Sequence, residues 1–403
     1  MASRTVLVVN AGSSSLKYEV VDAVTGRTAA SGMVDRIGGA GRLRHQTGDD
    51  THERDVTCRD HGEALGAARE ALREHGPDLS GAGLYAVGHR VVHGGPRFSA
   101  PVVVDDDVVE AIRSLVPLAP LHNPANLEGI LSARESFPGV PQVAVFDTAF
   151  HQTLPREAHT YAVPAEWREQ HRVRRYGFHG TSHRYVSQRT AELLGRAPED
   201  CAVIVLHLGN GASACAVKAG RSIDTSMGLS PLEGLVMGTR SGDVDPALGA
   251  YLARVADLDA RSYDEALNFR SGLLGLAGVS DLRELEQRRA SGDDAAALAF
   301  DVMTYRLRKY VGAYAVALGG ADAIAFTGGI GENSAPVRAA VLDGLGALGV
   351  ELDPEANEDG EPERRVTAVT TRVPAWVVPT REELEIARAC LSVLGDERAQ
   401  ADA

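Results

Sequence analysis

Residues 203–217 restrict the fold of this chain more than any other stretch. They read VIVLHLGNGASACAV, with two apolar, β-prone runs on either side of a Gly-Asn-Gly turn at 209–211. An Asn-Gly pair between such runs predicts a tight β-hairpin. The glycines leave backbone N–H groups open to close approach, and His207, Asn210 and Ser213 add donors beside them, which suits a phosphate group. Taken alone, an ordinary turn between two core strands remains the alternative.

The same design opens the chain. Residues 5–21, TVLVVNAGSSSLKYEVV, place a polar turn at 10–15 between two apolar runs, with Lys17 just beyond it. A third glycine-rich turn follows a strand at residues 323–333, AIAFTGGIGEN, and Pro336 fits the first turn of a helix. Two similar hairpins half a chain apart indicate a duplicated unit, and three such turns together could line one nucleotide.

Length and charge narrow the class of protein. The chain has 403 residues, which is long for one core and predicts two domains, and its 44% hydrophobic and 24% charged residues are typical of globular proteins. The net charge of -14 argues against broad binding of nucleic acid or anionic membranes. No apolar run approaches membrane-spanning length and no signal-like segment opens the chain, so a cytoplasmic protein is expected. Cys58, Cys201, Cys215 and Cys390 lack metal-ligand spacing, which predicts buried free thiols.

Charged residues at strand ends and in polar loops are the first candidates for chemistry. Arg90 lies in an apolar segment and needs a cleft or a carboxylate partner, with a structural ion pair as the alternative. Asp147 follows a buried strand at 142–146, at the strand end where open α/β sheets bind ligands. His179 precedes a helix in RRYGFHGTSH, where a packed histidine is the alternative, and Arg240 lies among small residues in GTRSGD.

Several predicted helix starts carry polar side chains that could cap the helix, and at some of them contact with a ligand is the alternative. Asn123 is expected to cap the helix that follows it. Residues 281–283, Asp-Leu-Arg, open a helix and could touch a nucleotide, although a carboxylate there is more often a cap. Thr380 and Glu383 have the spacing of a capping box, which gives Glu383 a structural role and leaves Glu382 for chemistry.

Ten motifs follow one another along nearly the whole chain. They are NAGSSSLK from Asn10, GHRVVHGG from Gly88, HNPAN from His122, FDTAFH from Phe146, RRYGFHGTSH from Arg174, HLGNGAS from His207, DTSMG from Asp224, GTRSGD from Gly238, TGGIGEN from Thr327 and TREEL from Thr380. In this order the chain closely resembles the acetate kinase family, of the superfamily that includes sugar kinases, actin and the large ATP-dependent chaperones. Arg381 departs from the family pattern, in which Asn is frequent.

The resemblance implies an α/β fold of two ribonuclease-H-like domains, as in actin-like ATPases, with the active-site cleft between them. It implies a first domain of residues 1–151 plus 385–403, which includes the C-terminal helix. Residues 152–384 would form the second, nucleotide-binding domain. The resemblance also implies a homodimer that binds acetate, ATP and acetyl phosphate.

Position by position, the resemblance implies roles for site residues. Arg90 matches the substrate contact, Asp147 the catalytic acidic residue, and His179 and Arg240 the stabilisers of the transition state. Asn10 and Glu382 match the ligands of Mg²⁺, for which Mn²⁺ can substitute. The matching nucleotide contacts are Lys17, His207, Leu208, Gly209, Asn210, Gly211, Asp281, Leu282, Arg283, Gly329, Ile330, Gly331, Glu332 and Asn333. The small apolar pocket for the substrate methyl group matches Val92, Leu121, Phe178 and Pro231.

The activity implied is the reversible, magnesium-assisted reaction of ATP and acetate to acetyl phosphate and ADP. Acetate is ionised at neutral pH, because ordinary carboxyl groups have a pKa of about 4, so this nucleophile needs no general base. Asp147 is therefore expected to hold the metal or an arginine in place. The alternatives are a propionate or other short-chain acyl kinase of the same fold, a non-catalytic nucleotide clamp and a sugar kinase.

Overall fold

The chain forms two compact units. The computed structural model describes residues 4–77, 79 and 83–401, with side chains described up to residue 395. One unit contains the chain up to Phe150 together with the segment from Arg381 onward, and the other contains His151–Thr380. The first unit is therefore assembled from two separate stretches of sequence, whereas the second is continuous.

The described residues contain fourteen strands and fifteen α-helices. The strands are β1 (Thr5–Ala11), β2 (Leu16–Asp22), β3 (Thr28–Val34), β4 (Gly39–Thr47), β5 (Asp50–Cys58), β6 (Ala86–Val91), β7 (Val102–Val103), β8 (Gln142–Phe146), β9 (Ala202–Leu208), β10 (Ala212–Lys218), β11 (Arg221–Thr225), β12 (Ala323–Thr327), β13 (Arg364–Arg365) and β14 (Ala375–Val377). The helices are α1 (His61–His75), α2 (Asp106–Ser114), α3 (Asn123–Ser136), α4 (Arg156–His159), α5 (Ala165–Gln170), α6 (Gly180–Leu193), α7 (Leu248–Val255), α8 (Ala260–Phe269), α9 (Gly272–Ala277), α10 (Leu282–Ala290), α11 (Asp294–Leu318), α12 (Gly328–Asn333), α13 (Ala335–Asp343), α14 (Pro354–Glu358) and α15 (Glu382–Ala401).

The first unit is built on an eight-stranded sheet in the order β5-β4-β3-β2-β1-β6-β8-β7. Strands β1, β2 and β3 pair antiparallel, whereas β1, β6 and β8 run parallel to one another. The carboxyl ends of β1, β6 and β8 consequently lie at one edge of the sheet. Helix α1 covers one face: Asp60 caps it by accepting from the Glu63 amide, and its buried leucines, Leu65 and Leu72, join the core.

The second unit repeats this arrangement on a six-stranded sheet, β11-β10-β9-β12-β14-β13. Strands β9, β10 and β11 pair antiparallel, and β9, β12 and β14 run parallel. Three antiparallel strands followed by two parallel ones is the arrangement of a ribonuclease-H-like sheet. Both the predicted duplication and the predicted ribonuclease-H-like fold are confirmed. No helix within the described residues is both long enough and apolar enough to cross a membrane.

Helix α15 packs directly against the first sheet at a glycine. A Cβ atom at Gly88 in β6 would lie 2.7 Å from Ile386 Cγ2 and 3.0 Å from Cys390 Sγ, so only glycine allows the helix to approach this closely. Ile386 and Cys390 are both buried. This contact fixes the start of α15, which carries Glu382, beside the strand that carries Arg90.

Two predicted helix caps are wrong, and each residue has another partner. Helix α3 begins at Asn123 itself, whose side chain accepts from the His93 amide and donates to the His93 carbonyl oxygen, both at 3.1 Å. Helix α15 begins at Glu382, and the Thr380 amide donates to Glu332 Oε1 at 3.2 Å instead of to Glu383. In both cases a partner distant in sequence replaces the local one.

Candidate functional site

A buried ion pair occupies the parallel-strand edge of the first unit. Arg90 lies near the end of β6, and Asp147 follows β8 directly. The guanidinium donates two parallel bonds to the carboxylate, from Nε to Oδ1 at 2.9 Å and from Nη2 to Oδ2 at 2.7 Å. The Asp147 side chain is only 1% exposed and that of Arg90 is 21% exposed. The carboxylate partner expected for Arg90 is Asp147.

Glu382 brings a second carboxylate to the same arginine. Its Oε2 lies 3.8 Å from Arg90 Nε, and this buried oxygen accepts no hydrogen bond within the described part of the chain. Burial raises the pKa of Glu382, and Asp147 adds to that rise, while Arg90 and Lys17 oppose it. Burial would lower the pKa of Arg90, but the charges of Asp147 and Glu382 more than offset this and raise it.

The first glycine-containing turn adjoins this edge. Asn10 and Lys17 are cross-strand partners at its base, so both predicted ligand contacts belong to one hairpin. Two residues that sequence reasoning missed hold the turn. Asn126 Nδ2 donates to the Ala11 carbonyl oxygen at 2.7 Å, and His61 Nε2 lies 2.7 Å from the Gly12 carbonyl oxygen. The only sequence signal for Asn126 was its place in HNPAN.

In the second unit, the central hairpin forms as predicted. Leu208 and Ala212 are paired across residues 209–211, and the Asn210 carbonyl oxygen accepts from the Gly238 amide at 3.0 Å. A Cβ atom at Gly238 would lie only 2.0 Å from Asn210 Oδ1. The loop that carries Arg240 is therefore held against the hairpin, and glycine is required at position 238.

His179 approaches this hairpin from the start of α6. It has a left-handed backbone, with φ of 56°, and its Nδ1 lies 2.9 Å from Ser213 Oγ. The Nε2 atom of His183, one helical turn later, lies 2.7 Å from the same hydroxyl. Burial holds the pKa of His183 well below its usual value, and His151 and His207 act in the same direction. Ser213, expected as a donor to phosphate, is instead fully buried between two histidines.

His207 is held in a similar way. Its Nδ1 lies 2.8 Å from Ser182 Oγ, which in turn lies 2.9 Å from Thr380 Oγ1. The rings of His179 and His207 are stacked, with centroids 4.4 Å apart. The sequence placed His207 beside the turn but gave no sign of its link to Ser182.

Arg240 lies beside His179 without a carboxylate. Its Nη1 donates to the Pro231 carbonyl oxygen at 3.0 Å and lies 3.6 Å from Met237 Sδ, and no acidic side chain reaches it in the described residues. Burial lowers the pKa of Arg240. A methyl group on Gly211 would lie 3.6 Å from Arg240 Nη1 and 3.7 Å from His179 Cε1. The Arg240 guanidinium and the His179 ring therefore both border the space beside Gly211.

The third glycine-rich segment differs from the prediction. Residues 323–327 form β12, but Gly328–Asn333 forms the short helix α12 where a turn was expected, and Pro336 lies in the first turn of α13 as predicted. Gly328 has φ of 76°, and Glu332 Oε1 accepts from its amide at 2.9 Å.

A fully buried arginine supports the same helix. Arg338 Nη1 donates to the carbonyl oxygens of Gly331 and Glu332, each at 3.0 Å. Burial lowers the pKa of Arg338 to about 10. Gly329, Ile330 and Asn333 lie in this supported segment. No local sequence pattern indicated the role of Arg338.

The helix start at 281–283 combines a cap and an ion pair. Asp281 caps α10 by accepting from the Arg283 amide at 2.8 Å, and Arg283 Nη2 donates to Asp281 Oδ2 at 2.6 Å. Hydrogen bonding from Arg283 lowers the pKa of Asp281 to about 2. Leu282 is buried behind the pair, whereas the Arg283 side chain is 86% exposed.

The four predicted pocket residues lie in both units. In the first unit, Val92 is partly buried and Leu121 is 47% exposed. In the second, Phe178 is buried, and Pro231 contacts Arg240 through its carbonyl oxygen. Their common role as a methyl pocket stays a prediction.

Comparisons with known proteins agree on one family. The family model described as the acetokinase family matches residues 5–388. Acetate kinase of Streptomyces griseus subsp. griseus is 56% identical over 402 residues, covering 98% of each chain. The crystal structure of Porphyromonas gingivalis acetate kinase is 42% identical, with a TM-score of 0.92 over 97% of this chain and all of that one. A propionate kinase structure from Francisella tularensis subsp. tularensis is 40% identical, with a TM-score of 0.91 over 96% and 98%.

These matches run through the same segments that carry the paired arginine and aspartate, the stacked histidines and the glycine-rich turns. The chain belongs to the acetokinase family.

Proposed function

We propose that this chain catalyses the reversible transfer of the γ-phosphoryl group of ATP to acetate, which yields acetyl phosphate and ADP. The observation that carries the proposal is Arg240, a largely buried guanidinium beside His179 at the rim of Gly211, whose contacts within the described residues are all with neutral atoms. A buried cation without an internal counter-charge is costly unless an anionic ligand supplies one. Family membership and the named acetate kinase relatives support the same reaction.

The mechanism follows from the charges of the reactants. A carboxylate oxygen of acetate attacks the γ-phosphorus in line, and the new P–O bond forms as the bond to ADP breaks. Two anions must approach each other, so positive groups and hydrogen-bond donors supply most of the catalysis. We assign Arg240 and His179 to the transferring phosphoryl group and Arg90 to the acetate carboxylate.

Asp147 has a positioning role in this mechanism. Both of its oxygens accept from Arg90, so we assign it to holding the guanidinium in a fixed orientation and not to removing a proton. A sugar kinase needs a carboxylate that can accept the proton of a hydroxyl group. An Asp147 carboxylate that is paired with Arg90 therefore favours a substrate that is already ionised.

Mg²⁺ fits the oxygen donors at the first parallel-strand edge. The unpartnered, buried Glu382 Oε2 and the side-chain oxygen of Asn10 are hard ligands of the kind Mg²⁺ prefers. No group of three or more His, Cys, Asp or Glu side chains suited to a metal occurs among residues 4–77, 79 and 83–395. Mg²⁺ at nucleotide sites needs only one or two protein carboxylates, because waters and phosphate oxygens complete its shell. When bound, it neutralises phosphate charge, and Mn²⁺ is an expected substitute.

We assign the nucleotide to the glycine-rich segments. Its proposed contacts are Lys17, the hairpin residues His207, Leu208, Gly209, Asn210 and Gly211, the helix start Asp281, Leu282 and Arg283, and Gly329 to Asn333. We also propose functional domains of residues 1–151 plus 385–403 and of residues 152–384, a homodimeric state and a cytoplasmic location, where ATP is supplied. Light scattering of the purified protein tests the homodimer.

One assay tests the reaction. The protein is incubated with ATP, Mg²⁺, hydroxylamine and either acetate or propionate, and the acyl hydroxamate is measured. We expect ATP-dependent hydroxamate with a higher kcat/KM for acetate. The absence of product from both acids would leave a non-catalytic nucleotide clamp.

Propionate is the second candidate, because the propionate kinase structure is as similar in fold as the acetate kinase structure. Val92 is the β-branched residue of the proposed methyl pocket and should crowd an ethyl group. One methylene group of the substrate in such a pocket changes the free energy of transition-state binding by roughly 1–3 kcal/mol. Val92→Ala should narrow the difference between the two acids. A wild-type preference for propionate would reassign the enzyme as a propionate kinase.

A further inference from the structure

Two buried groups of the second unit, Ser213 and His183, form a chain of two hydrogen bonds with the partly buried His179. Ser213 Oγ lies 2.9 Å from His179 Nδ1 and 2.7 Å from His183 Nε2, and both distances are those of hydrogen bonds. Ser213 and His183 are both 0% exposed. The hydroxyl has one proton to donate, and no third partner of Ser213 Oγ occurs within the described residues. If both histidines donated to this oxygen, the hydroxyl proton would be buried without an acceptor. The arrangement that satisfies the hydroxyl therefore has it donate to one histidine and accept from the other.

The unpartnered nitrogen of His183 decides between the two directions. His183 Nδ1 is buried and has no hydrogen-bond partner within the described residues. If Ser213 donated to His183, the neutral ring would carry its proton on Nδ1 and bury an N–H group without an acceptor. If His183 donates from Nε2, the unpartnered Nδ1 is only a lone pair. Buried N–H groups without partners are the rarer case in proteins, so the second direction is favoured.

The direction fixes the proton on His179. With His183 Nε2–H donating to Ser213 Oγ, the Ser213 hydroxyl donates to His179 Nδ1. A neutral His179 then carries its proton on Nε2. The ring is thereby set as a hydrogen-bond donor on the edge away from Ser213, and its Cε1 borders the same space beside Gly211 as Arg240 Nη1.

We propose that His183 and Ser213 are positioning residues that act through His179. The three side chains form a hydrogen-bonded chain, called the relay, that holds His179 in the tautomer with its proton on Nε2. In this form His179 donates a hydrogen bond to a phosphoryl oxygen without first taking up a proton. The catalytic part of this inference rests on the proposed phosphoryl transfer, whereas the proton position does not.

The proton position is measured without any substrate. The full-length protein is labelled with ¹⁵N-histidine, and the ring resonances are recorded by long-range proton–nitrogen NMR at a pH where histidines are neutral. His179→Asn identifies the His179 signals by their loss. We expect His179 Nε2 protonated and Nδ1 unprotonated, and His183 with the same tautomer. A His179 ring protonated on Nδ1 would overturn the relay, whether or not the enzyme is an acetate kinase.

Substitutions then connect the proton position to turnover. Ser213→Ala should let His179 populate both tautomers and lower kcat on the order of 10-fold, as loss of a supporting partner commonly does, with little change in KM for acetate or ATP. His183→Gln keeps an N–H donor near the Nε2 position and should retain most of kcat and the His179 signature, whereas His183→Leu should lose both. A folded Ser213→Ala protein with the wild-type kcat and signature would contradict the relay.

Ser222→Ala is the matched control. Ser222 is another fully buried serine of the second unit, and its Oγ lies 2.8 Å from His151 Nδ1. Its removal costs a comparable buried serine–histidine bond but leaves the pair on Ser213 intact. It should lower thermal stability to the same extent as Ser213→Ala without changing the His179 tautomer. A loss of the His179 signature in both variants would show that the effect is general loosening and would overturn the specific relay.

Discussion

Arg90 and Arg240 are the same residue type in opposite electrostatic settings. Arg90 is neutralised inside the protein by Asp147 and Glu382, and its pKa is raised by their charges against the effect of burial. In the part of the chain that the structure describes, the polar contacts of Arg240 are a carbonyl oxygen and a sulfur, and burial lowers its pKa. Removing Arg240 therefore deletes a positive charge that pairs with no carboxylate in the described residues. Removing Arg90 instead leaves the buried Asp147 carboxylate without its counter-charge.

Arg240→Ala should lower kcat by about 100- to 1,000-fold while leaving the fold intact, because a donor to the transferring group is commonly worth that much. Steady-state kinetics and thermal unfolding of the same preparation measure both effects. A fall in Tm as large as that of a core substitution would instead make Arg240 a structural residue.

Arg90→Ala should both inactivate and destabilise the protein. It leaves the Asp147 carboxylate, 1% exposed, without its partner, and breaking a buried pair from one side costs roughly 3–5 kcal/mol. Adding Asp147→Asn should restore much of the unfolding free energy but not the activity. Denaturant titration of the two single variants and the double variant measures the coupling; additive losses would show that the pair is not coupled.

Gly211→Ala should separate folding from catalysis at one atom. Among the described residues, the nearest atom to the added methyl group is Arg240 Nη1 at 3.6 Å, an ordinary van der Waals distance, so the protein should fold normally. That methyl group would, however, occupy space bordered by Arg240 and His179, and kcat/KM should fall. Circular dichroism, thermal unfolding and kinetics test this, and unchanged kcat/KM would show that the substrate does not use this space.

At the scale of single residues, the sequence predicted which residue types lie beside the glycine-rich turns but not which hydrogen bonds join them. His179, His207 and Arg240 were identified because their own segments were distinctive. Ser182 contacts Thr380, which lies 198 residues further along the chain. Ser213 was expected to contact a ligand but contacts buried histidines instead, and Arg338 supports the backbone of α12. Nothing local in the sequence encodes such pairings.

At the scale of elements, regular patterns were predictable and helix ends were not. Both hairpins follow from apolar runs around short polar turns, and the fully buried β8 follows from the apolar run that comes after its first residue, Gln142. The helix at Gly328–Asn333 was not expected, because three glycines in six residues have low intrinsic helix propensity. Arg338, which donates to two of its carbonyl oxygens, supplies support that propensity does not include.

Two glycines within helices of the first unit should respond oppositely to alanine. Gly66 in α1 has open space around it, so Gly66→Ala should stabilise the protein by about 0.5–1 kcal/mol through helix propensity. A Cβ at Gly129 in α3 would lie 2.8 Å from Ala11 Cβ, at the end of β1. Gly129→Ala should cost about 1–3 kcal/mol by overpacking. Denaturant unfolding measures both, and equal effects would contradict the close packing of α3 on β1.

At the scale of the whole molecule, duplication is visible in topology more clearly than in sequence. The two units share the order of five strands, and each adds one short antiparallel edge strand beside the last of them, β7 in the first unit and β13 in the second. The first unit alone also adds the antiparallel pair β4 and β5 on the other side. The predicted echo between hairpins indicated the duplication, but the extra edge strands carry no signal that assigns them to one sheet. The first unit also needs α15, which follows the second unit in sequence.

Truncation should reveal this dependence. A chain that ends at residue 380 lacks Ile386, Ala387, Cys390 and Leu394, all buried against the first unit. We expect the first unit of that chain to become sensitive to protease while the second stays protected. A chain that ends at residue 395 keeps these side chains and should protect both units. Equal protection in both truncated chains would show that α15 is dispensable.

The position of α15 also orders events during synthesis. Residues 151–380 are continuous, so the second unit can complete its sheet while later residues are still being added. The first unit emerges earlier but leaves the face of β6 around Gly88 uncovered until residues 381–395 have left the ribosome. The half that is translated first should consequently mature last, and its exposed apolar strands are where a nascent chain of this protein most needs a chaperone.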